Sequence, residues 1–214
     1  MIYQGMLALA TIKTRRPVRL VFTREESICT SAKRHPVSVQ CKIGVKNDGR
    51  ITALEMHYVA DGGAYGLSTE GIVRKGAILA AGPYAIPNVK VDTYGIYTNN
   101  TPSGAFRTFG SMQSQFATES TLDICSERLG IDPIQLRLIN AMTDGCETHT
   151  QQKLERVSLT ETLKSCAERA RWEAGPSRVR GGERSDLNGS GVRRPYKPGV
   201  SLLKKTKNNS RKIG

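Results

Sequence analysis

The chain has 214 residues, of which 38% are apolar and 24% charged, so it is long enough for one packed domain and a further segment. Its mean hydropathy is −0.39, and the absence of any run of about 18 apolar residues argues against a membrane-spanning helix. The formal net charge is +13, but eleven of the 32 Lys and Arg residues lie in residues 174–214, beside only two acids. The basic character therefore belongs mostly to that last segment, which excludes a basic interaction surface as the dominant feature of residues 1–173.

The first part of the chain predicts a helix followed by a hairpin of two strands. Residues Ile2–Thr14 favour a helix, which ends before Arg15-Arg16-Pro17 because proline disfavours helix at the residue before it. Apolar residues then predict a short buried strand at Val18–Phe22. Val37–Val45 alternates apolar and polar residues, and Asn47-Asp48-Gly49 is a hairpin signal before the return strand Ile51–Tyr58. Asp61-Gly62-Gly63 is interpreted as a bulge or turn.

The second part of the chain predicts four helices and one further strand. In chain order these are a helix at Gly71–Ala81, a strand at Val89–Tyr97, and helices at Ser111–Leu129, Pro133–Met142 and Leu159–Trp172. Gly130 is the expected C-terminal cap of the longest helix, and Asp132 with Pro133 is an N-terminal signal for the next one.

These elements predict an α+β fold with a mixed or antiparallel sheet and packed helices over residues 1–173. Residues 174–214 are rich in Gly, Ser, Asn, Pro and basic residues, so a disordered tail is predicted there. The five cysteines are widely spaced and form no C-x-x-C pair, which argues against a disulfide framework, an iron–sulfur cluster or a structural zinc site. We therefore expect a cytoplasmic protein whose chain supplies no metal ligands.

Three stretches in order carry a resemblance to a known family. The first is Arg16-Pro-Val-Arg-Leu-Val-Phe-Thr-Arg-Glu-Glu-Ser27 with Lys33-Arg-His-Pro36, and the second is Gly82-Pro-Tyr-Ala-Ile-Pro-Asn88. The third is Thr98-Asn-Asn-Thr-Pro-Ser-Gly-Ala-Phe-Arg-Thr-Phe-Gly110, followed by Gln113. Together they resemble the molybdenum-binding subunit of the xanthine dehydrogenase/aldehyde oxidase family over roughly residues 5–172.

The resemblance implies a fold that is part of a molybdopterin-binding domain and a function in oxidative hydroxylation of a heteroaromatic or aldehyde substrate. The implied cofactor is molybdenum–molybdopterin, with iron–sulfur clusters and FAD on other domains or subunits that act as partners. The family's Gly-Gly-Gly-Phe-Gly-Gly loop and its catalytic glutamate in a Gly-Glu-Pro context have no counterpart in this sequence. The chain is therefore interpreted as an internal fragment that contributes no catalytic residue and is expected to be inactive by itself.

The most specific site prediction concerns residues 103–110. The resemblance implies that the backbone amide of Arg107 contacts the molybdopterin and that Phe109 stacks on a planar substrate ring. Glycines at both ends permit close approach of the backbone to a ligand. Thr108 stands where the family usually has glycine. The alternative interpretation is a tight turn with Phe106 and Phe109 in the core.

Lys75 is the second predicted substrate contact. By resemblance it stands where xanthine-oxidising members carry an arginine that binds a substrate oxygen, and Arg74 beside it is a possible substitute. Lysine keeps the charge but loses the bidentate fork. By resemblance, aldehyde-oxidising members lack a cation at this position, so a planar heteroaromatic substrate is favoured over an aldehyde. The alternative is a solvated Arg-Lys pair on a helix.

Two other functions remain open from the sequence. The chain is alternatively an inactive gene remnant, or a basic protein that binds nucleic acid through residues 174–214. Tyr196 is the only aromatic residue of that segment, so a stacking platform for bases is not expected and nucleic acid is not the favoured partner. His35 has no partner at triad or metal spacing, which favours a structural role.

Overall fold

The computed structural model describes residues 2–173, in which a three-stranded mixed sheet carries the packed helices. The strands are β1 (Val37–Val45), β2 (Ile51–Gly63) and β3 (Val89–Tyr97), in the order β1-β2-β3. β1 pairs antiparallel with β2, and β3 pairs parallel with β2. The predicted α+β fold with a mixed sheet is confirmed, whereas the predicted tail at 174–214 lies outside the described residues.

Six helices accompany the sheet within the described residues. They are α1 (Ile2–Thr14), α2 (Arg24–Thr30), α3 (Thr69–Ile78), α4 (Ser111–Leu129), α5 (Pro133–Asn140) and α6 (Leu159–Arg169). α4 ends at the predicted cap, where Gly130 has a φ of 65°. The Asp132 carboxylate accepts hydrogen bonds from the N–H groups of Ile134 and Gln135 and so begins α5.

The connections between the strands explain the mixed pairing. The β1–β2 hairpin closes through the turn that the sequence indicates, where the Gly49 N–H donates to the Lys46 carbonyl at 2.9 Å and Gly49 has a φ of 87°. α3 joins β2 to β3, and a helical crossover of this kind lets the two strands run parallel. The crossover therefore places α3 directly after the end of β2.

The core lies between the inner face of β2 and the helices that follow β3. Leu54, Met56 and Tyr58 alternate along β2 and are each 0–1% exposed. Leu122 of α4 and Leu136 of α5 are equally buried, and Leu54, Met56, Leu122 and Leu136 belong to one apolar cluster. Burying such side chains stabilises the fold by about 1.5–3 kcal/mol each relative to leaving them exposed.

A charged cluster fastens α5 to α4 beside this core. The Arg137 guanidinium donates to Glu119 Oε2 at 2.7 Å and to Asp123 Oδ1 at 2.8 Å, and the Tyr84 hydroxyl donates to Glu119 Oε1 at 2.7 Å. Burial by itself would lower the pKa of Arg137, but the bonds and charges of the two carboxylates outweigh it and raise the pKa. The two carboxylates therefore stabilise the charged form of Arg137 more than burial destabilises it.

The predicted strand at Val18–Phe22 is wrong. The segment forms no strand within the described residues, and Val18, Leu20 and Val21 are 38%, 46% and 66% exposed. Its apolar residues favour a strand, but a strand also needs a neighbour for its backbone groups, and none of the described strands pairs with it. Phe22 instead packs edge-on against Tyr3 of α1, with ring centroids 4.9 Å apart.

Two details of the first part of the chain extend the sequence interpretation. α2 was not predicted, although Thr23 and Glu26 form the reciprocal bonds of a capping box at its start. β2 runs five residues past the predicted end at Tyr58, with a register shift between Asp61 and Gly63. The predicted bulge at Asp61-Gly62-Gly63 is thus present, but it lies inside the strand and not after it.

Candidate functional site

The loop of residues 103–110 connects β3 to α4 and ends in three residues with positive φ. The Phe109 N–H donates to the Phe106 carbonyl at 2.8 Å, and the φ of Thr108 is 77°, as at the third residue of a type II turn. Phe109 and Gly110 follow with φ of 51° and 97°. A non-glycine residue in this region is strained by about 1–3 kcal/mol, so this loop is held by its surroundings.

Gly110 fixes the end of the loop against α3. A Cβ at this position would lie 2.2 Å from the Ile72 carbonyl oxygen, far inside contact distance. The Gly110 carbonyl in turn accepts a hydrogen bond from the buried Tyr58 hydroxyl at 3.4 Å. The start of α4 is therefore pressed against α3 and β2, where no side chain larger than hydrogen fits.

Residues 33–35 hold the other side of the loop. The Gly104 N–H donates to the Lys33 carbonyl at 2.8 Å, and the Lys33 N–H donates to the Pro102 carbonyl at 3.3 Å. The Arg34 guanidinium lies over the Phe106 ring, with its Cζ atom 4.5 Å from the ring centroid. The structure thus brings together two of the stretches that carry the family resemblance.

His35 ties this arrangement to α3. The side chain is 3% exposed, and its Nε2 lies 2.8 Å from the Thr69 hydroxyl. Burial lowers the pKa of His35, although the Gly104 backbone and the charge of Asp61 act in the opposite direction. A neutral, hydrogen-bonded imidazole agrees with the structural role that the sequence favours.

The structure places Phe109 and Lys75 on the same side of α3. The Phe109 ring is half-buried, and it approaches Gly71 so closely that a Cβ there would lie 3.1 Å from Phe109 Cε1. Lys75 follows Gly71 by one helical turn, which stacks the two positions on one face. Lys75 and Arg74 are both exposed, and neither takes part in a salt bridge within residues 2–173.

Arg107 lies at the exposed crest of the loop. Phe106 is 56% exposed and Arg107 is exposed as well, so the alternative of a turn with both phenylalanines in the core does not describe Phe106. No hydrogen bond or salt bridge joins Arg107 to Lys75 or Phe109 in the described part of the chain. Of the three predicted site residues, Arg107 therefore lies at the exposed tip of the loop, whereas Phe109 and Lys75 lie on one side of α3.

Several hydrogen-bonding groups of this loop and of the start of α4 have no partner in the described residues. Within residues 2–173, the N–H groups of Ala105, Phe106, Arg107 and Thr108 donate to no protein acceptor. One turn into α4, the buried Oε1 of Gln113 has no partner among the described residues. Unpaired donors and a buried unpaired acceptor suit a ligand that carries both kinds of group, as a molybdopterin with its phosphate and pterin N–H groups does.

Several residues of this site had no role in the sequence interpretation. Arg34 and Gln113 stand inside or beside the recognised stretches, but nothing in their spacing indicates what they contact. Among the described residues, no group of three or more His, Cys, Asp or Glu side chains is placed to hold a metal ion. None of the helices in residues 2–173 is long and apolar enough to cross a membrane.

Comparison with known proteins decides the family. The model of the molybdopterin cofactor-binding domain matches residues 1–141. The chain belongs to the molybdopterin cofactor-binding domain family. The predicted membership among the molybdenum hydroxylases is thereby confirmed, and with it the molybdopterin-binding domain as fold.

Individual relatives agree with this family. The chain is 42% identical over 164 residues to the nicotinate dehydrogenase large molybdopterin subunit of Eubacterium barkeri, which covers 76% of this chain and 39% of that protein. It is 41% identical over 137 residues to a probable xanthine dehydrogenase subunit of Bacillus subtilis, covering 64% and 18%. The aldehyde oxidoreductase structure from Desulfovibrio gigas matches with a TM-score of 0.68 and 32% identity, over 78% of this chain and 18% of that one.

The chain therefore spans 18–39% of the length of the relatives named above. The matched residues include β1 to β3, α3, α4 and the loop 103–110. The candidate site thus lies wholly inside the part of the chain that the family model covers.

Proposed function

We propose that this chain is part of the molybdopterin-binding subunit of a molybdenum hydroxylase, where it contributes part of the cofactor shell and one wall of the substrate site. The observation that carries the proposal is the loop 103–110, whose unpaired backbone N–H groups surround the exposed Arg107. Membership in the molybdopterin cofactor-binding family supports the identity of the ligand.

The residues that would hold the cofactor act mainly through backbone groups. The Arg107 N–H would donate to an acceptor of the molybdopterin, and the buried Gln113 Oε1 would accept from a pterin N–H. When bound, this cofactor supplies the oxidative hydroxylation of an electron-poor carbon. The chain's own contribution is to bind and orient, because no acid or base of the described site is placed to act on a proton.

The substrate wall is formed by the Phe109 ring and the face of α3 that carries Lys75. A planar ring would stack on Phe109, and a carboxylate or carbonyl oxygen of the same molecule would pair with the Lys75 ammonium. These groups favour a heteroaromatic substrate with such an oxygen, and an aldehyde is the second choice. The name of the Eubacterium barkeri relative, a nicotinate dehydrogenase, points to a substrate of the first kind for that protein.

The electrons of this reaction need carriers that the described residues do not provide, so we propose partner domains or subunits with iron–sulfur clusters and FAD. We also propose a cytoplasmic location. All five cysteines are free thiols, which is the state that a reducing compartment maintains.

A graft tests the cofactor contact. Residues 5–172 replace the matching segment of a complete homologous subunit, which is produced in a host that makes molybdopterin. Arg107→Pro removes the backbone N–H at a turn position where proline is favoured, so molybdenum content should fall strongly. Arg107→Ala keeps the N–H and should retain the metal. Equal molybdenum in both variants would contradict the backbone contact, and a graft that never loads metal would favour the inactive remnant.

The same graft tests the substrate wall. Phe109→Ala should lower kcat/KM for a heteroaromatic substrate by about ten- to a hundredfold, the scale of one stacking contact with some misorientation. Molybdenum content and Tm should stay close to those of the parent graft. Phe116→Ala, at a phenylalanine of α4 that is 63% exposed, is the matched control and should leave kcat/KM unchanged. Parallel loss of Tm, metal and activity in Phe109→Ala would mean that Phe109 is only a packing residue.

A further inference from the structure

Arg34 contacts the loop 103–110 on both sides of Arg107. Its guanidinium Cζ lies 4.5 Å from the centroid of the Phe106 ring, and its Nη1 lies 3.5 Å from Thr108 Oγ1. The Arg34 charge also reaches the Tyr58 hydroxyl, where it opposes the burial that raises the pKa of Tyr58 to about 12. One half-buried side chain thus lies beside the residues before and after Arg107.

Few backbone bonds hold this stretch, although the Thr108 carbonyl accepts from the Ser111 N–H at 3.2 Å and from the Ser111 hydroxyl at 2.8 Å. Gly104 is fixed by its bond to Lys33, and Phe109 is fixed by its bond to Phe106. Between them, the N–H groups of residues 105–108 have no protein acceptor within residues 2–173. Thr108 and Phe109 also adopt positive φ, which persists only where surrounding contacts hold it. We therefore expect side-chain contacts to contribute to holding residues 105–107 in place.

Two properties suit Arg34 to holding the loop: its planar guanidinium, and a charge that no carboxylate of the described residues neutralises. A planar guanidinium stacks on an aromatic ring and still directs N–H donors to a neighbouring hydroxyl, which an ammonium does less well. Arg34 forms no salt bridge in the described residues, so no carboxylate competes with the loop for it. Its two neighbours in sequence have other partners. The Lys33 carbonyl accepts a hydrogen bond from the Gly104 N–H, and the His35 ring is hydrogen-bonded to the Thr69 hydroxyl.

We propose that Arg34 is a positioning residue, whose stacking on Phe106 and bond to Thr108 hold the Arg107 backbone in the conformation that presents its N–H group. The use of that N–H for a cofactor rests on the proposed function, but the ordering of the loop by Arg34 does not. The two can therefore be tested separately.

The test measures how often the loop opens in the full chain. Trypsin cleaves after Arg107 only when the loop opens, and mass spectrometry of the peptide that begins at Thr108 gives the rate. Arg34→Ala should raise this rate about two- to fivefold, the range expected from loss of one cation–π contact at an exposed site. Amide exchange at Phe109, whose N–H donates to the Phe106 carbonyl, should rise by the same factor, and Tm should change little.

Four further variants make the result specific. Arg50→Ala removes an arginine whose guanidinium pairs with Asp48 in the hairpin, and it should leave cleavage at Arg107 unchanged. Arg34→Lys keeps the charge and the tryptic site, and it should restore part of the protection. Phe106→Leu removes the ring, so it should raise cleavage as well, and the double variant Arg34→Ala/Phe106→Leu should open no faster than Arg34→Ala alone.

Each outcome either supports or overturns the positioning role. Unchanged cleavage and exchange in Arg34→Ala or in Phe106→Leu would overturn it, and so would equal protection in Arg34→Lys and Arg34→Ala. If Arg34→Ala does not fold, the exposed Phe106→Leu site decides alone. In the graft, Arg34→Ala that opens the loop without loss of molybdenum would leave the positioning role intact and count against the proposed cofactor contact.

Discussion

Two regions of the molecule are built in opposite ways. One is the inner face of β2 with α4, and the other is the loop 103–110 with residues 33–35. Met56 and Leu122 are fully buried among apolar side chains, whereas Phe106 is 56% exposed and Arg107 lies at the surface. In the first region, no residue of Leu54–Tyr58 or of α4 has a positive φ. The second region has positive φ at Thr108 and Phe109, where side chains are strained.

The two regions also differ in how their polar groups are used. Next to the core, the Thr118 hydroxyl donates to the Ala80 carbonyl at 2.7 Å, and the Asn140 amide donates to the Gly49 and Leu136 carbonyls, both at 2.8 Å. Around the loop, backbone donors and the Gln113 acceptor remain unpaired within residues 2–173. Polar groups that are satisfied stabilise a fold, and polar groups that are left open are available to a ligand. The contrast therefore indicates that the first region mainly stabilises the fold, and it supports the binding role that we propose for the loop.

The largest effect is expected in the core. Leu122→Ala should lower the free energy of unfolding by about 2–5 kcal/mol, because it leaves a cavity between β2 and α4. Leu9→Ala in α1 is the matched control, since Leu9 is 55% exposed and its loss should change stability by less than about 0.5 kcal/mol. Urea unfolding of both variants gives the two values. Similar losses at the two positions would show that α1 is packed as tightly as the core.

The next effect lies where the two regions meet. Gly110→Ala should destabilise the fold by about 2–5 kcal/mol, because a positive φ is unfavourable for alanine and its Cβ would meet the Ile72 carbonyl. Gly130→Ala has a similar φ of 65° but nothing within 4 Å of the new Cβ, so it should cost only about 1–2 kcal/mol. Thermal unfolding of both variants isolates the steric part. Equal costs would mean that the loop moves away from α3 without penalty.

A smaller effect is expected at the charged cluster beside the core. Arg137→Met should lower the free energy of unfolding by about 1–3 kcal/mol, because Glu119 and Asp123 lose their shared cation. This loss is smaller than for a fully buried pair, since the two carboxylate side chains are 38% and 50% exposed. Lys42→Met at the exposed bridge to Glu55 is the control and should change stability far less. Equal losses would show that solvent screens both sites alike.

The same contrast explains which features the sequence predicts. β1, β3, α1 and α4 have the predicted bounds, because alternation, helical spacing and the Gly130 cap are local signals. Residues 18–22 carry an equally local signal and form no strand, since pairing depends on a neighbour that their own sequence does not specify. The capping box at Thr23 and Glu26 was readable as a helix start, and α2 follows from it.

The site was predictable only in part. The resemblance pointed to Arg107, Phe109 and Lys75, and the structure adds that Gly71 places Phe109 and Lys75 on one face of α3. The contact of Arg34 with Phe106 joins residues 72 positions apart, which no periodicity indicates. The positive φ of Thr108 was indicated only by the resemblance, in which glycine usually stands at this position, because threonine itself is unfavourable in that conformation.

The smallest effect is a dependence of stability on pH that belongs to the loop region. Burial lowers the pKa of His35 from its ordinary 6.5, so below that pH the unfolded chain binds a proton more readily than the folded chain. Stability should therefore fall as the pH decreases through 6.5 toward the lower pKa of the folded state. The pKa values of Asp61 and Glu55 are lowered by hydrogen bonds from Thr98 and from Lys42, respectively, and these groups affect stability only in more acidic solution.

Urea midpoints between about pH 7.5 and 5.5 measure the slope of stability against pH. His35→Gln should flatten that slope even if it lowers stability at every pH, because it removes the buried imidazole. The exposed His57→Gln is the control and should preserve the slope. A slope that survives in His35→Gln would place the pH dependence elsewhere, and a stability that rises toward pH 5.5 would contradict a neutral His35 in the folded chain.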